Sequence, residues 1–310
     1  MIATITLNTA IDHILFVPEF KLGETIRSTR SYLSMGGKGG DVSYILGTLG
    51  IDNLALGFKA GVFGDKMEAM LQERGVRTDF VPVGGETRIS TLIVEPGAGQ
   101  STFTVDTLQI TPEHIEEFIR LFEAALDGFG CVVIGGTPPR SFPLDKFSKL
   151  IRMANERSIP TVLDASGESL RAAVAARPTV IKPNLRELED LAGQPLTSLE
   201  TVAGAAREVL KTHGCSVIAT LGEQGALAVL PEGAYHIAPL EVEVVNSAGA
   251  GDAVLAGLAH ALDQQIPLED GLRLGFAAAA AVMLTPRTAD CEPAQVERFK
   301  SQVVLEPFLS

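Results

Sequence analysis

The chain has little cysteine and gathers none of it. Cys131, Cys215 and Cys291 are far apart and odd in number, with no CxxC pair or Cys/His cluster. That argues against a disulfide scaffold or a zinc site and predicts reduced, buried thiols in a cytoplasmic protein. Long apolar runs are also missing. The most apolar stretch, 274–284, is alanine-rich and too short to span a bilayer, so it reads as a packed helix. No basic region precedes the opening strand, so no signal peptide is expected. Basic residues are in deficit, with 25 Lys and Arg against 38 Asp and Glu and a formal net charge of -13. Nucleic acid and acidic membranes are therefore not expected partners. Internal repeats and low-complexity linkers are absent. What is present is 310 residues, 46% hydrophobic and 20% charged, a globular composition with ample material for a core.

The chain is organised around residues 246–257, Asn-Ser-Ala-Gly-Ala-Gly-Asp-Ala-Val-Leu-Ala-Gly. A small-residue loop here turns into a helix. Gly249 and Gly251 let the backbone bend and approach a ligand closely. The first amides of the helix lack intrahelical partners, and the helix dipole makes that end positive. A phosphate fits such an end. Asp252 lies in the same turn. Amides of residues 249–252, with Gly249, Ala250 and Gly251 as the walls, can hold a moving phosphate while Asp252 takes a hydroxyl proton. A tight strand-to-helix turn with a capping aspartate accounts for the same residues without chemistry.

Elsewhere the pattern is mostly alternating strand and helix. The β-branched run 2–7 predicts a first strand, with Asp12 just past its C-terminal end, where open α/β sheets collect ligands. Strand-like pieces follow at 14–17 and 25–33. A second glycine loop, Gly36-Gly37-Lys38-Gly39, precedes Asp41 and a helix over 42–49. Further helices are expected at 64–74, 112–126, 144–156, 168–175, 185–191, 199–212, 250–262 and 268–284. Thr111-Pro112 starts the second of the later helices' series, and 197–200 reads as a capping box. Strands are expected at 53–58, 131–134, 160–163, 180–182, 216–220, 227–230 and 235–237. Short strands at 80–83, 88–94 and 102–105 are expected to join the early pair in one small sheet. The alternation predicts an α/β protein with three layers and a mainly parallel sheet. Segments 13–35 and 80–106 would form a β lid on this single 1–310 unit.

Two further constellations carry chemistry. Lys182-Pro-Asn184-Leu-Arg-Glu187 follows a predicted strand, so Asn184 and Glu187 share a face of a helix start. They could order Mg²⁺ through its waters. Thr220-Leu-Gly222-Glu-Gln-Gly225-Ala is a turn between strands.

Taken together these motifs resemble the ribokinase-like sugar kinases, the phosphofructokinase B family. The resemblance covers nearly the whole chain. It rests on Asp12, the Gly-Gly-Lys-Gly loop, Asn184-x-x-Glu187, Thr220-Leu-Gly-x-x-Gly225 and Gly249-Ala-Gly-Asp252, in that order. The opening Thr6-Leu-Asn-Thr-Ala-Ile-Asp12, Gly23-Glu-Thr-x-Arg27 and Glu86-Thr-Arg88 are similar to the 1-phosphofructokinase and tagatose-6-phosphate kinase branch. The resemblance implies a ribokinase-like fold and ATP-dependent, Mg²⁺-requiring phosphoryl transfer to a sugar or sugar phosphate. It implies Asp252 as general base, with Lys182, Asn184, Glu187, Thr220, Gly222 and Gly225 toward the nucleotide. Asp12, Gly36, Gly37, Lys38 and Asp41 would hold the sugar, and Arg27 and Arg88 its phosphate.

The chain departs from the pattern mainly on the sugar side. Asp41 stands where the family has Asn, Ser90 and Leu92 where the branch has Asn and Lys, and Gly136 and Arg140 where it has Ser and Gly. Asp106 starts a segment that is Asn-x-Pro-Gly-Pro in the branch. A neutral sugar, polyol or nucleoside thus stays open as acceptor beside a ketohexose phosphate, as does a non-catalytic ligand-binding regulator. A dinucleotide site is disfavoured, since Gly249-Ala-Gly251 is not followed by a third glycine at 254. Uncovered edges of a small lid sheet predict a homodimer through the lid.

Overall fold

The computed structural model describes residues 1–309. In chain order the first half runs β1 (Ile2–Thr6), β2 (Ala10–Phe16), β3 (Arg30–Gly36), α1 (Lys38–Thr48), β4 (Asn53–Lys59), α2 (Gly61–Gln72), β5 (Arg77–Pro82), β6 (Gly84–Gly85), β7 (Arg88–Glu95), β8 (Gly99–Phe103), β9 (Leu108–Gln109) and α3 (Pro112–Ala125). The second half runs β10 (Cys131–Gly135), α4 (Leu144–Glu156), β11 (Thr161–Asp164), α5 (Gly167–Val174), β12 (Val180–Ile181), α6 (Leu185–Ala192), α7 (Leu199–His213), β13 (Ser216–Thr220), β14 (Ala226–Leu230), β15 (Gly233–Ile237), α8 (Ala250–Gln264), α9 (Leu268–Met283), α10 (Pro293–Lys300) and β16 (Leu305–Pro307).

One ten-stranded sheet has the order β16-β15-β14-β13-β12-β11-β10-β1-β4-β5. The seven strands from β13 to β5 are parallel, and β14 to β16 close the far edge antiparallel. Their side chains alternate between two cores, as a period of two requires. Ala3, Ile5, Val132, Ile134 and Leu163 face α3 to α7, whose buried residues include Phe118, Phe147, Leu170, Leu188 and Val202. Ile2, Cys131, Val133 and Val162 face α1, α8, α9 and α10. All three cysteines are buried and free. Burial pushes the thiols of Cys215 and Cys291 up to about 12, so they stay protonated. Among the described residues, no helix is long and apolar enough to cross a membrane.

A separate four-stranded sheet, β3-β2-β7-β8, is the lid. Its inner face buries Ile14, Phe16, Leu92 and Val94 against Tyr32, Val245 and Ala248, so it rests on the loop before α8. Four expectations change here. The strand expected at 80–83 is β5, which pairs in parallel with β4 as the edge of the main sheet, because Phe80 and Val81 find cores there. Asp12 does not follow the end of a main-sheet strand; it is the third residue of lid strand β2. Most of 18–29 is exposed and irregular, so β3 begins only at Arg30. The capping box near 197 is shifted by one, with Ser198 as cap and Thr201 at N3. Helix α10 and strand β16 extend the chain beyond the two closing helices expected.

Candidate active site

The C-terminal ends of five parallel strands converge on one cleft. Gly135 pairs with Asp164 across β10 and β11. The Lys182 amide donates to Leu163 O (3.0 Å) and the Thr220 amide to Pro183 O (3.0 Å), carrying the row across β12 and β13. The glycine loop before α1 presses onto this row. A Cβ on Gly135 would meet the amide nitrogen of Gly39, and one on Gly39 would meet the Ile5 carbonyl. A Cβ on Gly36 would run into the Asp12 carboxylate. These glycines are therefore required by close approach.

The turn at 249–252 is shaped as its residues predict, with one correction. Gly249 caps α8 with φ 87, and a Cβ there would strike the backbone of Ala289. The Asp252 amide donates to Gly249 O (3.1 Å) and the Ala250 amide to Ser247 O (3.3 Å). Those two are engaged, so not all four amides of 249–252 are available. The Gly249 and Gly251 amides have no backbone acceptor among the described residues. Lys182 comes to the same place, since a Cβ on Gly251 would lie 3.3 Å from its Nζ. A cation and two free amides make this a local positive site in an acidic chain.

Charges around the turn are tightly linked. Asp164 is buried at 1% exposure and pairs with both Lys38 and Lys182, the latter at 2.8 Å. Burial would raise its pKa, but Lys182 and Lys38 hold it below the usual carboxylate range. Burial would lower the Lys38 pKa, but Asp164 and Asp252 raise it, so Lys38 stays charged. Burial pushes the Asp252 carboxyl up to about 7, with the lysines opposing and Asp164 and Asp12 adding to the rise. Asp12 is pushed up to about 6 by burial, against a 2.8 Å hydrogen bond donated by Thr288. Ser34 donates to Thr288 O at 2.9 Å, tying the lid to the loop that backs Gly249.

A cavity of about 410 Å³ opens beside these groups, lined among others by Asn8, Gly37, Lys38, Asp41, Arg88 and Arg140. Arg88 faces Asp106 at 3.6 Å. Gly136 and Asp106 also line the cavity, whereas Leu92 is buried in the lid core. Arg27 lies on the exposed 18–29 stretch and does not line the cavity.

On the other side, Asn184 and Glu187 cap α6 reciprocally, through Asn184 Oδ1 (3.0 Å) and Glu187 Oε2 (2.9 Å). Glu187 Oε1 is left over for other work. Among the described residues no group of three acidic, His or Cys side chains could cage a metal ion. A pair acting through water suits Mg²⁺, which keeps several of its waters. Gly222 and Gly225 shape the turn after β13 with φ 62 and 79, and a Cβ on Gly225 would strike Ile237 O. Their identity is explained by the turn itself. Asp164 and Thr288 were missed by sequence reasoning. Asp164 had a signal, an aspartate ending a strand, whereas Thr288 lies in the irregular connection between α9 and α10.

Comparison with known proteins agrees with this fold. The profile of the pfkB family carbohydrate kinases matches residues 4–295. The 1-phosphofructokinase of Bacillus subtilis (strain 168) is 33% identical over 99% of this chain and 98% of its own length. That of Escherichia coli (strain K12) is 32% identical with the same coverage. Phosphofructokinase-2 from Escherichia coli, solved in complex with substrates and products, superposes with a TM-score of 0.88 at 27% identity, covering 97% of this chain and 99% of that one. With a family profile spanning nearly all its length, a ribokinase-like α/β fold and a charged cleft at the strand ends, this chain belongs to the pfkB family of carbohydrate kinases.

Proposed function

We propose that this protein phosphorylates a hydroxyl of a ketohexose phosphate at the expense of ATP, with Asp252 as general base. The observation that carries the reading is the junction of Asp252, the free Gly249 and Gly251 amides and Lys182 at one helix start. A carboxyl at about 7 is matched to proton abstraction near neutral pH. The two amides and Lys182 are placed to receive the charge of a transferred phosphoryl group. Mg²⁺, when bound with the nucleotide, would neutralise phosphate oxygens, and Asn184 and Glu187 are the residues that would hold its waters. Thr220, Gly222 and Gly225 border the nucleotide side. Asp12, Gly36, Gly37, Lys38 and Asp41 border the sugar side.

Arg88 and Arg140 favour an acceptor that already carries a phosphate, because they supply two guanidinium groups to the same cavity. The relatives named 1-phosphofructokinase support the same class. The exposed apolar residues on the outer face of the lid, Leu33 and Phe103, support a homodimer through that face.

The test is a coupled ADP-release assay across phosphorylated and free sugars, polyols and nucleosides, on the wild-type protein and Asp252→Asn. Turnover on a ketohexose phosphate is expected, falling as pH drops through about 7 because the base becomes protonated. Asp252→Asn is expected to bind ATP but lose roughly 10²–10⁴ in turnover. Activity on neutral acceptors alone would shift the assignment to a free sugar. Near-native turnover of the variant would remove Asp252 from the mechanism.

A further inference from the structure

Three buried polar atoms on the cavity wall have no partner among the described residues: Asn8 Oδ1, Arg88 Nε and Asp41 Oδ1. An acceptor, a donor and a carboxyl oxygen thus await a polar ligand. Buried polar atoms are ordinarily paired, so each is open to a contact from a ligand or a water in the cavity. Asp41 is the unusual member. It lies in the first turn of α1 and is 4% exposed. Among the described residues no cation is paired with it, and the nearby Lys38 Nζ is directed to Asp164.

The charged groups around Asp41 are of both signs, and Arg140 shares its cavity. Asp252 at the start of α8 and Asp12 on β2 repel its charge, while Lys38 on its own helix is the opposing cation. Arg88 on β7 shares the cavity but is matched to Asp106. A buried carboxylate without a counter-ion, set among other carboxylates, takes up a proton instead. We infer that Asp41 works as a neutral carboxylic acid, which donates with its O–H and accepts with its other oxygen to read a substrate hydroxyl. It then does the work of the asparagine that the family motif has at this place, which likewise both donates and accepts. Burial first, and then Asp252 and Asp12, hold its carboxyl well above the ordinary range, which agrees. The inference rests on the cavity being the sugar pocket, and it makes acceptor binding weaken as Asp41 ionises with rising pH.

The experiment compares wild type, Asp41→Asn and Asp41→Ala in KM for the sugar phosphate between about pH 6 and about pH 9. Asp41→Ala is expected to raise KM about 10–100-fold at neutral pH, because the partner hydroxyl is left unpaired. Asp41→Asn is expected to restore KM to within about threefold and to stay flat at alkaline pH, where the wild-type KM climbs. Substrate phosphate and Asp12 titrate alike in both, so their difference isolates Asp41. An Asparagine variant as impaired as the alanine one at every pH would overturn the inference, since a charge would then be needed. Infrared difference spectra of the ligand-free proteins, wild type minus Asp41→Asn, give a second readout. A protonated-carboxyl band at neutral pH is expected, and its absence would overturn the inference. If the wild type phosphorylated no sugar at all, the reading of the pocket would fall, while the infrared band would still decide the state of Asp41.

Discussion

Asp164 touches both lysines of the site, so one carboxylate sets where two cations point. Lys182 is 6% exposed, and removing its counter-ion leaves a charge buried without a partner. Asp164→Ala is therefore expected to destabilise the fold by about 3–5 kcal/mol and to impair turnover, measured by denaturant unfolding and by the same coupled assay. Asp252 acts in the opposite sense. Its folded value of about 7, and about 6 for Asp12, lie above the 3.8 of an ordinary aspartate. The folded state thus holds extra protons at acid pH. Stability from these two groups is full below about pH 4 and is lost as pH rises through about 6 and 7. Asp252→Asn is expected to be more stable than wild type above pH 7, by on the order of 2–4 kcal/mol, with the gain shrinking toward pH 4. A gain independent of pH would contradict the linkage.

Helix α8 carries the turn with Asp252, and α9 holds it in place. The two meet at glycines: a Cβ on Gly257 would collide with the Gly271 carbonyl and the backbone of Gly275. The obstacle is backbone on both sides, so no side chain can swing away. Gly257→Ala is expected to cost about 1–3 kcal/mol by overpacking and to move the helix start that positions Asp252. Thermal unfolding and kcat should fall together, and a native-like melting temperature would show that the helices yield freely. The period of α3, with Ile115, Phe118 and Phe122 inward, and its Thr111 cap were readable from spacing alone. The edge strand β5 was not, because a short apolar run fits a lid or a sheet edge equally until its pairing partner is known.

The lid is a whole-molecule feature, built from segments far apart in the chain. Pairing places Leu33, His13, Thr91 and Phe103 in one row across its four strands. Leu33 and Phe103 at its ends are 46% and 54% exposed. The opposite rows carry Asp12, Ser34 and Ser90, which are buried toward the site. A dimer covering the outer row would also steady Asp12. Replacing Leu33 and Phe103 together by Lys is expected to give a monomer in light scattering and to raise KM for the acceptor. A wild-type protein that is already monomeric at assay concentrations would refute the dimer.

The glycine loops, Asp252 with its flanking glycines, the placing of Asn184 and Glu187 at a helix start and the three-layer architecture were legible from residue type and spacing. Their causes are local: positive φ, helix ends and hydrophobic period act over a few residues. Asp164, Thr288, the exposure of Arg27 and the isolation of Asp41 were not. Each depends on which side chain arrives from a distant segment, as when Thr288 reaches Asp12 across 276 positions or Lys38 turns to Asp164 across 126. A sequence can place a carboxylate at the head of a helix. Whether that carboxylate bears a charge depends on which groups the folded chain brings against it, and on how much water it keeps.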